Sequence, residues 1–419
     1  MVHRQLPAVG RRTLIKATTA LGAIQLASPF IISARGEGAP IKLGMVDPLT
    51  GILSALAQSE VEGAKYAVAE INKKNGILGR QVELLVEDST SGDAGTAVQK
   101  ARKLIDRDKV SFLLGNVNSA LTLAMAQVAN EKNILQMVTG GHTDAVTGSS
   151  CHWNVFRICN TTSMDAAAVT GDLVKRFGKK FFFITPDYAY GHTLQESFIK
   201  NLKALGGEYQ AEMLPINTSE FSATLIKAKA YKPNVLLNNM GGLAQINCMK
   251  QFTQFGMEKE MHLGGALFEL ESIRAVPKDA QAGTWDMEWW WNQPNVPEVV
   301  KFVADFRKAN GKTPSARHWF GWVAVHSVLL GAEKAKSLEG PKMAHAMEGM
   351  ELPPDVALQP GKVFYRAGDH ELMPNIFVGD VHPPKGGNPD DVFTVTSLVP
   401  GEKAAGPASE TGCKIVYPA

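Results

Sequence analysis

The segment that decides the fold spans residues 41–87, which read IKLGMVDPLTGILSALAQSEVEGAKYAVAEINKKNGILGRQVELLVE. Residues 41–46 and 81–87 are short apolar runs of strand length, whereas residues 54–74 place apolar side chains near a period of 3.6. Gly76 and Gly79 end the helical pattern before the second run. The segment therefore predicts a strand, a helix and a second strand, which is the β-α-β unit of a parallel sheet.

The same alternation of strand and helix patterns repeats along the chain. The first series continues with helices at 94–106 and 119–131 and strands at 110–114 and 134–139. The second series has strands at 179–185, 208–214 and 235–238, helices at 193–205, 221–231 and 242–255, and a later helix pair at 296–310 and 319–336. Each series suits one lobe, so the predicted fold class is α/β, with two doubly wound parallel-sheet lobes. Beyond Gly340 the Pro- and Gly-rich sequence predicts loops and a late crossover.

Length and composition exclude several classes of protein. The chain has 419 residues, which favours two domains, and its 45% hydrophobic and 20% charged residues are ordinary for a soluble globular protein. A formal net charge of +2 gives no basic surface for a nucleic-acid partner. The sequence lacks the G-x-S-x-G, H-E-x-x-H and P-loop motifs. We therefore expect no enzyme activity, no cofactor and no metal.

The first 34 residues have the order of regions typical of an export signal. Arg11-Arg12 precedes a mostly apolar run at 17–32, and the small residues Ser33-Ala34 follow. The arginine pair followed by Lys16 is similar to a twin-arginine signal. A membrane anchor is the alternative, but the run of about 16 residues is shorter than the roughly 20 that a spanning helix needs. We expect cleavage near Ala34 and a periplasmic protein, with the formal charge changing from +2 to −2 because residues 1–34 hold four basic and no acidic residues.

Four cysteines follow the predicted signal, and their spacing fits no zinc or redox motif. They are Cys151, Cys159, Cys248 and Cys413. In an oxidising compartment they allow two disulfides in three possible pairings, among which the sequence does not choose.

Several ordered segments resemble one known family. Residues 44–51 (GMVDPLTG) resemble the opening strand and loop of the type I periplasmic binding proteins, and the nearest branch is the leucine/isoleucine/valine-binding group. Residues 62–64, 70–72 and 76–80 resemble that family's first helix and following turn, and residues 187–191 (DYAYG) resemble its second-lobe turn. The resemblance covers roughly residues 41–335.

The resemblance implies a hinge of three crossovers between the two lobes, which we place near residues 155–160, 284–288 and 363–366. It implies an N-terminal lobe formed by residues 41–157 and about 287–350. The C-terminal lobe and tail then comprise residues 158–286 and about 351–419. Such lobes close on a ligand by hinge motion.

Loops at the carboxyl ends of parallel strands are where ligands bind in open α/β sheets. The loop after the third strand holds Asn118 and Ser119, which either face a ligand carboxylate through free backbone N–H groups or simply cap the next helix. The loop after the fourth strand holds Gly141 and His142. His142 is either a ligand contact or pH sensor, or a solvated loop histidine.

The resemblance adds contacts from other loops. Tyr190 matches the family's ligand-facing tyrosine, with packing at the lobe edge as the alternative. Leu56 lies where relatives place an apolar or aromatic contact. Three further candidates follow the next two strands of the second lobe: Gly241, Phe268 and Glu269. Glu269 lies a few residues later than the acid that holds the ligand ammonium in amino-acid binders. Trp290, within the run Trp289-Trp290-Trp291, either faces the cleft or packs within a lobe.

The function implied is that of the substrate-binding component of an ABC importer. The ligand is expected to be a small branched-chain or other apolar amino acid, and the partners are the permease subunits of the importer. Aromatic carboxylates, short amides or urea are alternative ligands. A ligand sensor that signals to a receptor is the alternative function.

Overall fold

The computed structural model describes residues 38–418. The predicted export signal at 1–34 lies outside these residues. Within the described part of the chain, no helix combines the length and the apolar character needed to cross a membrane.

The N-terminal lobe is built on a five-stranded parallel sheet in the order β2-β1-β3-β4-β5. Its strands are β1 (Ile41–Asp47), β2 (Val82–Asp88), β3 (Phe112–Leu114), β4 (Leu135–Val138) and β5 (Val155–Arg157). Its first helices are α1 (Ser54–Lys73), α2 (Ala94–Arg102) and α3 (Ser119–Glu131). A π-helical turn at Lys103–Arg107 extends α2, which explains why the helical pattern runs to residue 106. The predicted alternation is confirmed here.

The C-terminal lobe is built on a seven-stranded sheet, in which two late strands, β11 (Asn375–Val381) and β12 (Phe393–Pro400), extend five parallel strands in the order β12-β11-β10-β9-β8-β6-β7. Its parallel strands are β6 (Lys180–Pro186), β7 (Glu208–Leu214), β8 (Val235–Asn238), β9 (His262–Gly265) and β10 (Thr284–Met287). Its helices are α4 (Thr162–Phe177), α5 (Ala189–Ala204), α6 (Ser222–Tyr231), α7 (Gly242–Gln254) and α8 (Leu270–Ala275). Phe181, Phe182 and Phe183 on β6 are all buried, because helices cover both faces of this sheet.

The chain then returns to the N-terminal lobe through four helices: α9 (Pro297–Asn310), α10 (Ala316–Ala335), α11 (Gly340–Met347) and α12 (Pro354–Ala357). Helix α10 packs directly on α1. A Cβ atom at Gly63 would lie 2.0 Å from the carbonyl oxygen of His318, and one at Gly321 would lie 2.0 Å from that of Glu60. These two glycines therefore let the two backbones touch, which brings the start of α10 next to the middle of α1.

The region after Gly340 is more regular than predicted. Strands β11 (Asn375–Val381) and β12 (Phe393–Pro400) form an antiparallel pair that extends the second sheet beside β10. The prediction of loops was wrong here because the turn residues Pro383-Pro384 and Gly386-Gly387 mark the connection between the strands rather than an irregular segment. Helix α4 was also missed, although Thr161 caps it by accepting a hydrogen bond from the backbone N–H of Met164.

The chain passes between the two sheets three times before its tail. It crosses after β5, after β10 and between the Tyr365–Leu372 bridge and β11. The lobe boundary near residue 350 stays a prediction, and α12, which lies beyond it, packs against α9 and α10.

The C-terminal tail returns to the N-terminal lobe. Helix α13 (Gly401–Ala405) packs on α4, and the chain then runs to Cys413, which forms a disulfide with Cys151. Beyond it, the Tyr417 hydroxyl donates to Glu348 Oε1 at 2.6 Å. The sequence allowed two disulfides, but the structure contains this one, and Cys159 and Cys248 are buried free thiols. Short 3-10 turns lie at Asp144–Thr147, Met257–Lys259, Lys278–Ala280 and Ala408–Glu410.

Candidate functional site

A small cavity of about 30 Å³ lies where the two lobes meet. The N-terminal lobe lines it with Leu53, Leu56, Val117, His142 and Arg317. The C-terminal lobe lines it with Tyr188, Tyr190, Met240, Gly241, Leu267 and Glu269. Since pockets for small ligands usually measure about 300–1,000 Å³, the lobes must move apart to admit one.

Direct contact between the lobes closes the cavity on one side. The backbone N–H of Leu243 donates to the carbonyl oxygen of Ile52 at 3.2 Å, which joins the start of α7 to the loop before α1. A Cβ atom at Gly242 would lie only 2.2 Å from the same oxygen. Glycine at this position therefore permits the closed arrangement of the lobes.

A buried arginine connects the two lobes across the cavity. Arg317, in the first turn of α10, donates from Nη1 to Glu60 Oε1 on α1 at 2.8 Å. It donates from Nε to Glu269 Oε1 in the C-terminal lobe at 2.7 Å, and its Nη2 also donates to that oxygen. All three side chains are at most 5% exposed. Hinge opening must therefore break the part of the Glu60–Arg317–Glu269 bridge that joins Arg317 to Glu269.

The electrostatics of this bridge are set by burial and by the paired charges. Burial opposes the charge of Arg317, but the carboxylates of Glu269 and Glu60 raise its pKa well above the usual value. Burial raises the pKa of Glu60, while Arg317 and a hydrogen bond from Thr139 oppose that shift. A ligand with both a carboxylate and an ammonium group can exchange partners with such a bridge, because each of its charges finds an opposite charge there.

His142 lies beside the bridge and is buried, at 3% exposed, so the solvated-histidine interpretation is wrong. Burial lowers the pKa of His142 well below the usual value, and the imidazole is therefore neutral. Its Nε2 lies 3.4 Å from Arg317 Nη2, which can only donate, and its Nδ1 lies 3.0 Å from Glu288 Oε1. The tautomer with the hydrogen on Nδ1 lets Nε2 accept from Arg317 and lets Nδ1 donate to the carbonyl oxygen of Asn160 at 3.2 Å.

The C-terminal lobe contributes an aromatic wall. Tyr190 lies in the first turn of α5, with its ring centroid 5.8 Å from that of Tyr188 and 6.2 Å from that of His142. Burial raises the pKa of Tyr190 well above its usual value, so its hydroxyl stays protonated and can donate. Met240 and Leu267 complete the apolar part of this wall.

Five of the ten predicted contacts line the cavity: Leu56, His142, Tyr190, Gly241 and Glu269. The structure places the others elsewhere. Asn118 caps α3 by accepting from the N–H groups of Ala120 and Leu121, as in the capping interpretation. The Ser119 hydroxyl oxygen accepts from the N–H of Thr143 at 3.2 Å.

The remaining three predicted contacts also lie outside the cavity lining. The carbonyl oxygen of Gly141 accepts from Arg157 Nη1 at 3.1 Å. The ring of Phe268 packs at 4.8 Å from that of Trp285 in the C-terminal lobe. Trp290 packs against Trp291 and Phe393, since β12 and its preceding turn cover this crossover.

Sequence reasoning missed the residues that form the ionic bridge with Glu269. Arg317 and Glu60 are 257 positions apart, and no local pattern joins them. A signal for Glu60 does exist in the sequence. It lies four residues after Leu56 and four before Ala64, on the apolar face of α1, where an acid is rare unless it is paired.

Known proteins resemble this chain over most of its length. The sequence profile of the periplasmic binding protein family matches residues 40–388. The chain is 30% identical over 337 residues to the Leu/Ile/Val-binding protein BraC3 of Rhizobium johnstonii, covering 78% of this chain and 88% of that protein. A periplasmic binding protein from Burkholderia mallei superposes with a TM-score of 0.82 and 26% identity, covering 89% and 98% of the two chains. A solute-binding protein of an ABC transporter from R. palustris, solved in complex with benzoate, shares the fold with a TM-score of 0.77 and 22% identity, covering 87% and 97%.

Proposed function

Because the chain belongs to the periplasmic binding protein family, we propose that it captures a small branched-chain or other apolar amino acid between its lobes and delivers it to the permease subunits of an ABC importer. Proteins of this family bind small solutes and work with ABC transporters. The chain is a solute-binding protein and not an enzyme.

The observation that carries the proposal is the Glu60–Arg317–Glu269 bridge at an interlobe cavity with apolar walls. Arg317 offers the donors that a carboxylate needs, and Glu269 and Glu60 offer acceptors for an ammonium group. Leu53, Leu56 and Val117 provide apolar surface for an aliphatic side chain. An amino acid that enters between the lobes replaces the contact between Arg317 and Glu269 with one contact to each of its own charges.

We propose ligand contacts at the five predicted residues that line the cavity, with Arg317 added. Tyr190 then supplies a hydroxyl donor and an aromatic face from the C-terminal lobe. The backbone at Gly241, which precedes α7, can approach the ligand closely because it carries no side chain.

The family implies a periplasmic location, and we propose that the signal at 1–34 is removed near Ala34 after export by the twin-arginine route. The Cys151–Cys413 disulfide supports an oxidising compartment, since such bonds persist outside the cytoplasm.

Aromatic carboxylates are the second candidate ligands. Tyr188, Tyr190 and Met240 form a wall on which an aromatic ring can pack, and Arg317 can pair with a single carboxylate. The relative solved with benzoate supports this alternative. An aromatic acid carries no ammonium group, so it leaves Glu60 and Glu269 paired with Arg317 alone.

A thermal-shift panel on residues 35–419 tests the proposal. The panel contains leucine, isoleucine, valine, benzoate, acetamide and urea, each also tested on the Tyr190→Ala variant. A ligand at 100 times its Kd adds about 2.7 kcal/mol to the free energy of unfolding, so the melting temperature rises visibly. We expect the branched-chain amino acids to stabilise the wild type. Stabilisation by benzoate alone contradicts the amino-acid proposal and supports the aromatic alternative.

A further inference from the structure

Three side chains from separate segments converge next to the ligand cavity. His142 follows β4 in the N-terminal lobe, Asp165 lies on α4 in the C-terminal lobe, and Glu288 follows β10 at a crossover. One potential ligand atom from each lies within 4.8 Å of the other two. His142 Nδ1 is 3.0 Å from Glu288 Oε1 and 3.9 Å from Asp165 Oδ2. The cluster therefore joins both lobes and the hinge at one point.

Asn160 holds the other oxygen of each carboxylate. Its backbone N–H donates to Glu288 Oε2 at 2.6 Å, and its side-chain Nδ2 donates to Asp165 Oδ1 at 3.1 Å. This arrangement turns the second oxygen of each carboxylate toward His142 Nδ1. Its carbonyl oxygen also lies 3.2 Å from Nδ1.

The two oxygens that face His142 lack hydrogen-bond partners in the described part of the chain. They are Glu288 Oε1 and Asp165 Oδ2, whose side chains are 1% and 0% exposed. Buried polar atoms are nearly always paired, and an unpaired buried carboxylate oxygen is unfavourable. Each of these two oxygens therefore lacks a partner, which a bound proton or a bound cation can supply.

The surrounding charges do not supply that partner. Asp286, two residues before Glu288, adds a third buried carboxylate with an unpaired oxygen. Among residues 38–418, no lysine or arginine forms a salt bridge with Asp165, Asp286 or Glu288. Arg317 and Arg157, the buried arginines of this region, are each paired with other carboxylates.

We propose that His142, Asp165 and Glu288 bind one divalent transition-metal cation, of the Zn²⁺ or Mn²⁺ type. An ion about 2.0–2.4 Å from each ligand atom fits the spacing of the three atoms. A mixed set of one imidazole nitrogen and two carboxylate oxygens favours these ions over Ca²⁺, which takes six to eight oxygens. The Asn160 carbonyl oxygen is placed to serve as a fourth ligand.

Cation binding at Nδ1 changes the tautomer of His142. The hydrogen on Nδ1 is released to solvent and a proton is taken up at Nε2, so the ring stays neutral. Nε2 then no longer accepts from Arg317 Nη2, which becomes free to donate to a ligand carboxylate. The site therefore couples cation binding to ligand affinity, and it goes beyond the proposed capture of an amino acid.

Calorimetric titration of the EDTA-dialysed protein (residues 35–419) with ZnCl₂, MnCl₂ and CaCl₂ tests the proposal. We expect one equivalent of Zn²⁺ or Mn²⁺ to bind, with Ca²⁺ weaker by at least tenfold. Glu288→Gln and Asp165→Asn should each weaken binding by at least 10- to 100-fold, since the loss of an outer-shell partner of a metal ligand alone costs about that much. Asp47→Asn is the matched control, since Asp47 is also a buried carboxyl with an unpaired oxygen but lies outside the cluster.

Either of two results overturns the proposal. One is the absence of Zn²⁺ and Mn²⁺ binding by the wild-type protein, which requires no variant to fold. The other is binding that Glu288→Gln and Asp165→Asn leave unchanged, which places the ion elsewhere. Failure of leucine to bind does not bear on this test, because the cation is titrated without it.

Discussion

Two buried arginines lie close to the hinge, and they differ in what they connect. Arg157, at the end of β5, donates from Nε to Glu371 Oε2 at 2.6 Å and from Nη1 to the carbonyl oxygen of Thr143 at 2.6 Å. All its partners lie in the N-terminal lobe or the third crossover. Arg317 instead holds Glu60 in its own lobe and Glu269 in the other. The contacts of Arg157 survive hinge opening, whereas the two hydrogen bonds that Arg317 donates to Glu269 cannot.

The difference shows how one type of side chain serves two purposes. A buried arginine whose partners stay together maintains the structure of the hinge. A buried arginine whose partners separate makes closure depend on what lies between the lobes. We therefore expect Arg157 substitutions to affect stability most and Arg317 substitutions to affect ligand affinity.

The largest effect is expected from Arg157→Met. The substitution removes the charge partner of the buried Glu371, whose pKa burial already raises to about 7, and breaking a buried pair in this way costs about 3–5 kcal/mol. Urea denaturation measures the loss. Arg176→Met is the control, since Arg176 pairs with Asp380 at the surface, where the expected loss is about 1 kcal/mol or less. Equal losses in the two variants contradict the structural role of Arg157.

The next effect is expected at the tail. Cys151→Ser removes the disulfide that fastens residues 406–418 to the N-terminal lobe, and we expect a loss of about 2–4 kcal/mol. Melting temperatures with and without reductant measure it. Reductant should lower the wild type to the level of the variant and leave the variant unchanged. A variant that still responds to reductant shows that another disulfide forms.

A smaller effect on free energy, but a specific one, is expected from Arg317→Met. We expect leucine affinity to fall by about 30-fold, or about 2 kcal/mol, because the ligand carboxylate loses its charged donor. Calorimetry measures the affinity, and urea denaturation without ligand measures stability in parallel. Unchanged affinity with a stability loss as large as that of Arg157→Met erases the distinction between the two arginines.

The smallest effect is expected at Glu62, on the exposed edge of α1. Hydrogen bonds from His318 and Lys312 lower the pKa of Glu62 to about 2 despite partial burial. Its contribution is present above pH 4.5 and is lost as the pH falls from 4.5 toward 2. Because Glu62 is partly exposed, solvent screening limits the contribution to about 1 kcal/mol or less. Acid titration of Glu62→Gln should show a correspondingly shallower fall in stability, and an identical profile contradicts the assignment.

Local sequence patterns predict the elements whose signals are local. The strand and helix periods of residues 41–139 give the first lobe, because each β-α-β unit has its own period and turn residues. Strands β11 and β12 were hidden by the composition of the turn between them. Their pairing with β10 joins residues about 95 positions apart, which no local pattern reports.

The candidate site was predictable only in part for the same reason. The strand-end rule and the family resemblance indicate His142, Tyr190 and Glu269 because each follows a strand directly. Arg317 begins a helix that reaches the cleft only through the close approach of α1 and α10. Trp290 is the opposite case. Its position at a crossover made it a candidate ligand contact, but it packs against Phe393 of the antiparallel strands and does not line the cavity.

Titration of leucine into three proteins, the wild type, Tyr190→Ala and Tyr209→Ala, tests most directly whether the interlobe cavity is the ligand site. Tyr209 is the matched control, since it packs on Phe183 in the same lobe with ring centroids 5.4 Å apart and does not line the cavity. We expect Tyr190→Ala to weaken binding at least tenfold, about 1.4 kcal/mol, and Tyr209→Ala to bind leucine as the wild type does. Equal affinity for leucine in Tyr190→Ala and the wild type contradicts this expectation.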